Sequence, residues 1–290
     1  MTQIKLHIHN ETNLLKTVIL GIGTDQGKPY DINPVAKKHK EDGTYPKESD
    51  IINEIAEAKI TLERFGVKVF QPENLPNKKQ IFTRDIGFVI DDTFVFSNMK
   101  EPVRADEIKG IEYILKDLPN SQILRVPEEA TIEGGDVIVH NEDVFVGISN
   151  RTNQAGFQFL KSSFPNKKVH ALPLVVTDDP ATNILHLDCA FQPVGQKFAI
   201  FYKEGFKEQP LAILDNFSEE NLIRVNQREK ELMFPNIFSM GPTDVIIEEK
   251  FTRLISELEN KGINCHRVKY SETSKLSGLL RCSTLPLERV

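Results

Sequence analysis

The stretch DIGFVIDDTFVFSN, residues 85–98, sets two runs of aromatic and β-branched residues on either side of Asp91-Asp92. Such runs around a two-residue polar turn read as a β-hairpin. The reading decides the fold because the pattern returns three times. DVIVHNEDVFVGIS (136–149) turns at Asn141 to Asp143, HLDCAFQPVGQKFAIFY (186–202) at Pro193 to Gly195, and NIFSMGPTDVIIEE (236–249) at Gly241-Pro242.

Each hairpin is followed by a helical pattern and a short apolar strand. Ile108, Ile111, Leu115 and Leu118 lie at helical spacing before ILRVP (123–127), and Phe251, Leu254 and Leu258 run to Gly262 before NCHRVKY (264–270). Residues 152–164 precede KKVHALPL (167–174) in the same way, and residues 218–230 are assigned the helix of the third unit. The unit is therefore strand, strand, helix, strand. A fifth copy is divided between the chain ends. It has a strand in KTVILGIG (16–23), a helical face on Ile51, Ile55, Ala58, Leu62 and Phe65, and then VKVFQP (67–72). It lacks a first strand, while LLRCSTLPLE (279–288) is a strand without a partner. Pairing the two predicts an α/β-class, propeller-like ring of five ββαβ repeats, residues 1–290 as one domain, closed by its terminal strands, since closure removes sheet edges. Residues 23–49, rich in Gly, Pro and charge, form a long connection that reads as either a lid or a surface loop.

The 290 residues carry a net charge of −6 without long blocks of one sign, which discourages a nucleic-acid or anionic-membrane surface. A small, cationic ligand fits better. The three cysteines, Cys189, Cys265 and Cys282, have no CxxC spacing, so neither a disulfide framework nor a zinc ribbon is indicated. The polar N-terminus and the lack of any membrane-length apolar run read as a reduced, cytoplasmic chain. Self-association is left open.

The residues at the hairpin starts are Asp85, Glu133, His186, Asn236 and Cys282, separated by 48, 53, 50 and 46 positions. Equivalent positions of a closed ring converge on its axis. The expected cluster can grip a cation, move a proton and supply a nucleophile, and gathered charge is costly unless paired or used. Every member also has a plainer reading. A lone Cys is usually a small buried hydrophobe, a strand His a satisfied structural group, and Asp85 beside Arg84 a surface ion pair. The glycines of EGGDV can mark a bulge, and Asn236 is assigned a local structural role. A metal site is the competing reading, with His186 and Asp188 on one strand face and Cys282 or Glu133 completing the set. His7 and His9 alternate onto one face, but nothing nearby supports a site there.

FTRD (82–85), IEGGDV (132–137), SNRTNQAG (149–156), LHLDCAF (185–191) and LLRCSTLPL (279–287) resemble, in order and spacing, the motifs of the guanidino-group-modifying superfamily. That superfamily includes arginine deiminases, dimethylarginine dimethylaminohydrolases and amidinotransferases. The resemblance implies a pentein, the five-bladed α/β propeller of ββαβ units. It implies Cys282 as nucleophile, His186 as acid and base, Glu133 and Asp85 as carboxylates holding a guanidinium, and Asp188 as the second acid of a His-x-Asp pair. Arg104 and Arg151 match positions that bind a substrate α-carboxylate. The chemistry asks for no metal or cofactor.

Two indications conflict over the substrate. Dimethylarginine hydrolases often carry Lys in place of Asp188 and an acid in place of Arg84, so FTRD and HLD favour unmethylated arginine. The chain nevertheless lacks room for the helical insertion of full-length arginine deiminases and matches the dimethylarginine enzymes in size. Arginine or a close analogue is the preferred substrate, dimethylarginine the alternative, and amidino transfer ranks third. A non-catalytic binding protein on the same propeller, resembling a ribosome anti-association factor, is the remaining alternative.

Overall fold

The computed structural model describes residues 4–30 and 32–290. Among these, fifteen strands form five three-stranded sheets. Four of the sheets repeat one pattern. Gly87–Ile90 pairs antiparallel with Thr93–Phe96, which runs parallel to Ile123–Arg125. The hairpin 136–149 becomes Val137–His140 and Asp143–Ile148, with Lys168–Pro173 outermost. Phe191–Val194, Phe198–Phe201 and Leu222–Arg224 form the next sheet, and Phe238–Gly241, Asp244–Glu248 and Asn264–Val268 the fourth.

The fifth sheet joins the two ends of the chain. Leu15–Leu20 pairs antiparallel with Thr284–Arg289 and parallel with Lys68–Phe70, so the C-terminal strand supplies the missing first strand. The middle strands are covered on both faces and therefore read as continuous apolar runs. Val18 and Leu20 enter one apolar cluster and Ile19 the other, the alternation expected of a strand between two layers. Asp91 (φ 53°) and Asn141 (φ 56°) take the left-handed conformation that two-residue hairpins require. No helix among the described residues is long and apolar enough to cross a membrane.

Three sequence expectations need correction. The helix expected at 108–118 is mainly a 3-10 segment, Pro102–Ile111, ending in the short α-helix Glu112–Leu115. Residues 218–230 are not the crossover helix of the third unit. That helix is Leu211–Asn216, after Pro210, and 218–230 holds the buried strand Leu222–Arg224 and a helix, Gln227–Glu231, started by an Asn226–Glu229 capping box. Gly134 and Gly135 sit in a 3-10 turn, Gly134–Asp136, and not in a bulge. Residues 23–49 contain the helix Pro34–Glu41, capped by the Asn33 side chain, and help cover the candidate site.

Candidate active site

All five hairpin-start residues are buried, none more than 3% exposed. His186 and Glu133 meet directly, His186 Nε2 lying 2.9 Å from Glu133 Oε2. His186 Nδ1 is 3.7 Å from Asp85 Oδ1, and neither atom has a hydrogen-bond partner within the described residues. Ligand atoms of Asp85, Glu133 and His186 all lie within 4.8 Å of one another. The turn that carries Glu133 is joined to Asp85 by the backbone bond from Gly134 N to the Asp85 carbonyl, 3.2 Å. The Cys282 carbonyl accepts from Arg84 N at 3.0 Å, which ties the C-terminal strand to the same turn.

Electrostatics divides this cluster. Burial alone would lower the pKa of His186, but Asp85, Asp136 and Glu133 around it carry it up to about 9. Burial would raise Glu133, yet the hydrogen bond and charge of His186, with Arg151 and Arg104 behind, hold it at about 2. The two titrate as a pair. Cys282 is pushed well above the ordinary thiol range by burial, then by the charges of Asp188 and Asp85, against the opposing Asn236 hydrogen bond. At neutral pH His186 rests as an imidazolium between carboxylates, and Cys282 as a neutral thiol. A cation placed there would favour the thiolate.

Asn236, assigned a structural role from sequence, also touches the sulfur. Its Nδ2 lies 3.1 Å from Cys282 Sγ, while its Oδ1 accepts from the backbone of Leu279 and Cys282. Asp188 reaches Sγ at 3.6 Å, but its Oδ2 is bound by Arg281 Nη1 at 2.9 Å. The metal reading joined His186 to Asp188. The structure turns Asp188 toward Arg281, and the residues that gather around His186 are Asp85 and Glu133.

The two arginines are also engaged. Arg104 Nη1 donates to Asp85 Oδ2 at 2.7 Å, while its Nε and Nη2 hold the buried Glu107. Arg151 Nη2 donates to the Ile32 carbonyl at 2.8 Å, and its Nη1 lies 3.5 Å from Glu133. Both line a cavity with Asp85, Tyr30, Tyr45 and Lys79. Only about 40 Å³ is open within it, against roughly 300 Å³ or more for ordinary ligand clefts. In this state the guanidinium on Asp85 is the protein's own.

Several residues of the site were missed in the sequence. Glu107 stands three residues after Arg104, and its acid, raised by burial to about 7 against the pull of Arg104, is legible only once both are seen to be inside. Asp136, likewise raised by burial to about 7, accepts from Leu187 N and the Ser149 hydroxyl and supports the His186 turn from below. Arg281 bridges Asp188 and Glu11. A lone charge in the apolar run LLRC was the available signal, because arginine is almost never fully buried unless paired.

Gly135 shows how tight the packing is. A Cβ there would lie 2.7 Å from the His186 ring and 3.0 Å from Asp85 Oδ1. If His186 acts on substrate, Gly135→Ala is expected to lower kcat by about 10²-fold, the usual result of displacing a reacting group by about 1 Å. Circular dichroism should stay native, and an unchanged kcat would show that His186 is not positioned by this contact.

Comparison with known proteins agrees with this architecture. The family model of eukaryotic N,N dimethylarginine dimethylhydrolase matches residues 32–287. An uncharacterized protein of Bacillus subtilis (strain 168) is 32% identical over 213 residues, 73% of this chain and 70% of its own. An arginine deiminase of Listeria monocytogenes (serovar 1/2a) is 29% identical over 255 residues, and the match covers 74% of this chain but only 62% of that enzyme. Among solved structures, an amidinotransferase of Microseira wollei from a saxitoxin biosynthetic pathway gives a TM-score of 0.82 at 17% identity over 98% of this chain and 97% of the other. The N-terminal domain of a cyanobacterial arginine dihydrolase also gives 0.82 at 17% identity, over 94% and 98%. At that identity the two structures speak for the pentein fold alone. With the family model spanning most of its length, the chain belongs to the N,N-dimethylarginine dimethylhydrolase family of the guanidino-group-modifying superfamily.

Proposed function

We propose that the chain is one catalytic domain, its five sheets closed into a propeller, that hydrolyses the guanidino carbon of arginine or a close analogue through Cys282. The observation that carries the reading is the meeting of Asp85, Glu133 and His186 within 4.8 Å in the vicinity of a buried thiol. A guanidinium is a planar cation whose N–H groups suit a pair of carboxylates, and Asp85 Oδ1 has no hydrogen-bond partner within the described residues. Asp85 and Glu133 grip the cation, and its charge draws the thiol toward thiolate.

The thiol gives up its proton to solvent, from which the released ammonia later takes one up. Sγ of Cys282 bonds to the guanidino carbon as a C=N electron pair moves onto nitrogen, giving a tetrahedral adduct. His186, protonated at neutral pH, gives its proton to the departing nitrogen as the C–N bond breaks, leaving an S-alkylthiouronium on Cys282. Neutral His186 takes a proton from water, the resulting hydroxide attacks the same carbon, and the C–S bond breaks. The sum is guanidinium plus water giving a ureido product and ammonium. Asp188, held by Arg281, fixes the thiol side of the site. Residues 23–49 act as a lid that opens for entry, and Arg104 and Arg151 release their internal partners to meet the substrate.

The family match favours a second reading, in which the nitrogen carries methyl groups and dimethylamine leaves. Incubation with L-arginine and dimethylarginine, with assay of ureido product, ammonia and dimethylamine, separates the two; formation of no ureido product would overturn both. The rate should fall as pH rises through about 9, where His186 loses its proton. The sign for stability follows from the same groups. His186, raised to about 9 from 6.5, stabilises the fold fully below pH 6.5 and less up to 9. Glu133, lowered to about 2 from 4.5, does so fully above 4.5 and less down to 2. Together they stabilise most between 4.5 and 6.5.

A further inference from the structure

The charged groups lining the cavity are Asp85, Arg104, Arg151 and Lys79. Three of these are already matched. Arg104 lies between Asp85 and a bidentate Glu107, and Arg151 faces Glu133. Lys79 is different. Its ammonium donates to the Tyr45 hydroxyl and lies 5.1 Å from the centre of the Tyr30 ring and 4.9 Å from that of Tyr45. Those are its contacts among the described residues, and no carboxylate is among them. Glu107 acts on it only from a distance, while burial lowers its pKa to about 8. A half-buried cation held by two rings and one hydroxyl keeps donors to spare and, among the described residues, lacks a counter-charge.

Resting on the reading of the site as a guanidino hydrolase, we propose that Lys79 anchors a substrate carboxylate and selects guanidino acids that carry no free ammonium at that end. Asp85, one of the two carboxylates assigned to the guanidinium, and Lys79 line the same cavity, so the carboxylate end of the same molecule is assigned to Lys79. A carboxylate there completes the missing ion pair in a poorly hydrated place. An α-ammonium brought to the same place meets a like charge, and among the described residues the one carboxylate of the lining, Asp85, is engaged by Arg104 and assigned to the guanidinium. Like charges set together across an interface cost enough to decide selectivity. The aromatic and aliphatic lining, Tyr30, Ile32, Phe82 and Leu185 among it, suits the methylene chain between the two ends.

Steady-state kinetics with four guanidines tests this: L-arginine, 5-guanidinopentanoate (arginine without its amino group), Nα-acetyl-L-arginine, and agmatine, which has an amine and no carboxylate. The two ammonium-free acids should exceed arginine in kcat/KM by about tenfold or more, with agmatine lowest. Lys79→Met should lower kcat/KM for the acids by about 10- to 100-fold while leaving agmatine unchanged or improved. Lys79→Arg should keep the preference for the acids. Arginine as the best substrate, with the ranking unaltered by Lys79→Met, would overturn the anchor and leave the hydrolase reading intact. Failure of all four guanidines, together with failure of chloroacetamidine to label Cys282, would overturn the hydrolase reading and the anchor with it.

Discussion

Cys282→Ala is expected to remove turnover, by about 10⁴-fold or more, because in the proposed mechanism its sulfur forms the covalent intermediate. Cys189→Ser and Cys265→Ser are expected to stay within a few-fold of the parent. The three thiols differ by surroundings and not by chemistry. Cys265 is half-buried on an outer strand, packed against the apolar core, and its sulfur lies near the Ile255 and Ile263 carbonyls. Cys189 is buried beside Asp188, 3.7 Å from Oδ1, with a pKa well above the ordinary range from burial and that carboxylate. Cys282 alone among them receives a hydrogen bond from a side-chain amide, that of Asn236, among the described residues. Chloroacetamidine, a cation, should label Cys282 at neutral pH faster than neutral iodoacetamide does, since the thiolate forms only when a positive charge is docked. Equal loss of turnover in all three variants, or labelling at Cys189 instead, would remove Cys282 as nucleophile.

Arg281→Met is expected to destabilise the protein by about 3–5 kcal/mol, the usual result of leaving buried partners without their counter-charge. That corresponds to a fall in Tm of roughly 10 °C. Arg281 and Asp188 are 0% exposed and Glu11 is 3% exposed, so neither carboxylate has water to fall back on. Arg281 also donates to the Val137 carbonyl at 3.0 Å, and so fastens the second repeat to the strand that carries Cys282. Adding Glu11→Gln and Asp188→Asn to Arg281→Met should recover part of the loss, because two neutral amides are cheaper to bury than two unpaired acids. Scanning calorimetry measures both shifts. A change below about 1 kcal/mol in the single variant would show that solvent reaches the network.

The repeat was legible because β-branched runs, two-residue turns and terminal glycines are local signals, and each was repeated. Asp91 and Asn141 adopt positive φ where the sequence places a turn, and Gly66 and Gly262 close their helices with φ of 85° and 79°. The third unit was misread because Leu222 and Ile223 form a strand of only three residues, too short for periodicity to separate from a helix. The site was legible as a set of positions, Asp85, Glu133, His186, Asn236 and Cys282, since constant spacing in a repeat implies equivalent places in space.

Pairing was not legible. Asp188 is the second acid of the His-x-Asp motif, and in the structure its carboxylate is bound by Arg281, ninety-three residues away in the chain. Arg104 matches a position that binds a substrate carboxylate, and its partners in this state, Asp85 and Glu107, were not visible in the sequence. Lys79 and Glu107 do not stand out in the sequence, because a lysine or glutamate in a polar stretch carries no local mark of burial. By itself the sequence determined the four hairpins, the union of the two chain ends in one sheet, and the residue types available at the site. Only the tertiary structure decided which charge neutralises which, because that depends on distances of a few ångströms between segments far apart in the chain, where a low local dielectric makes each pairing count.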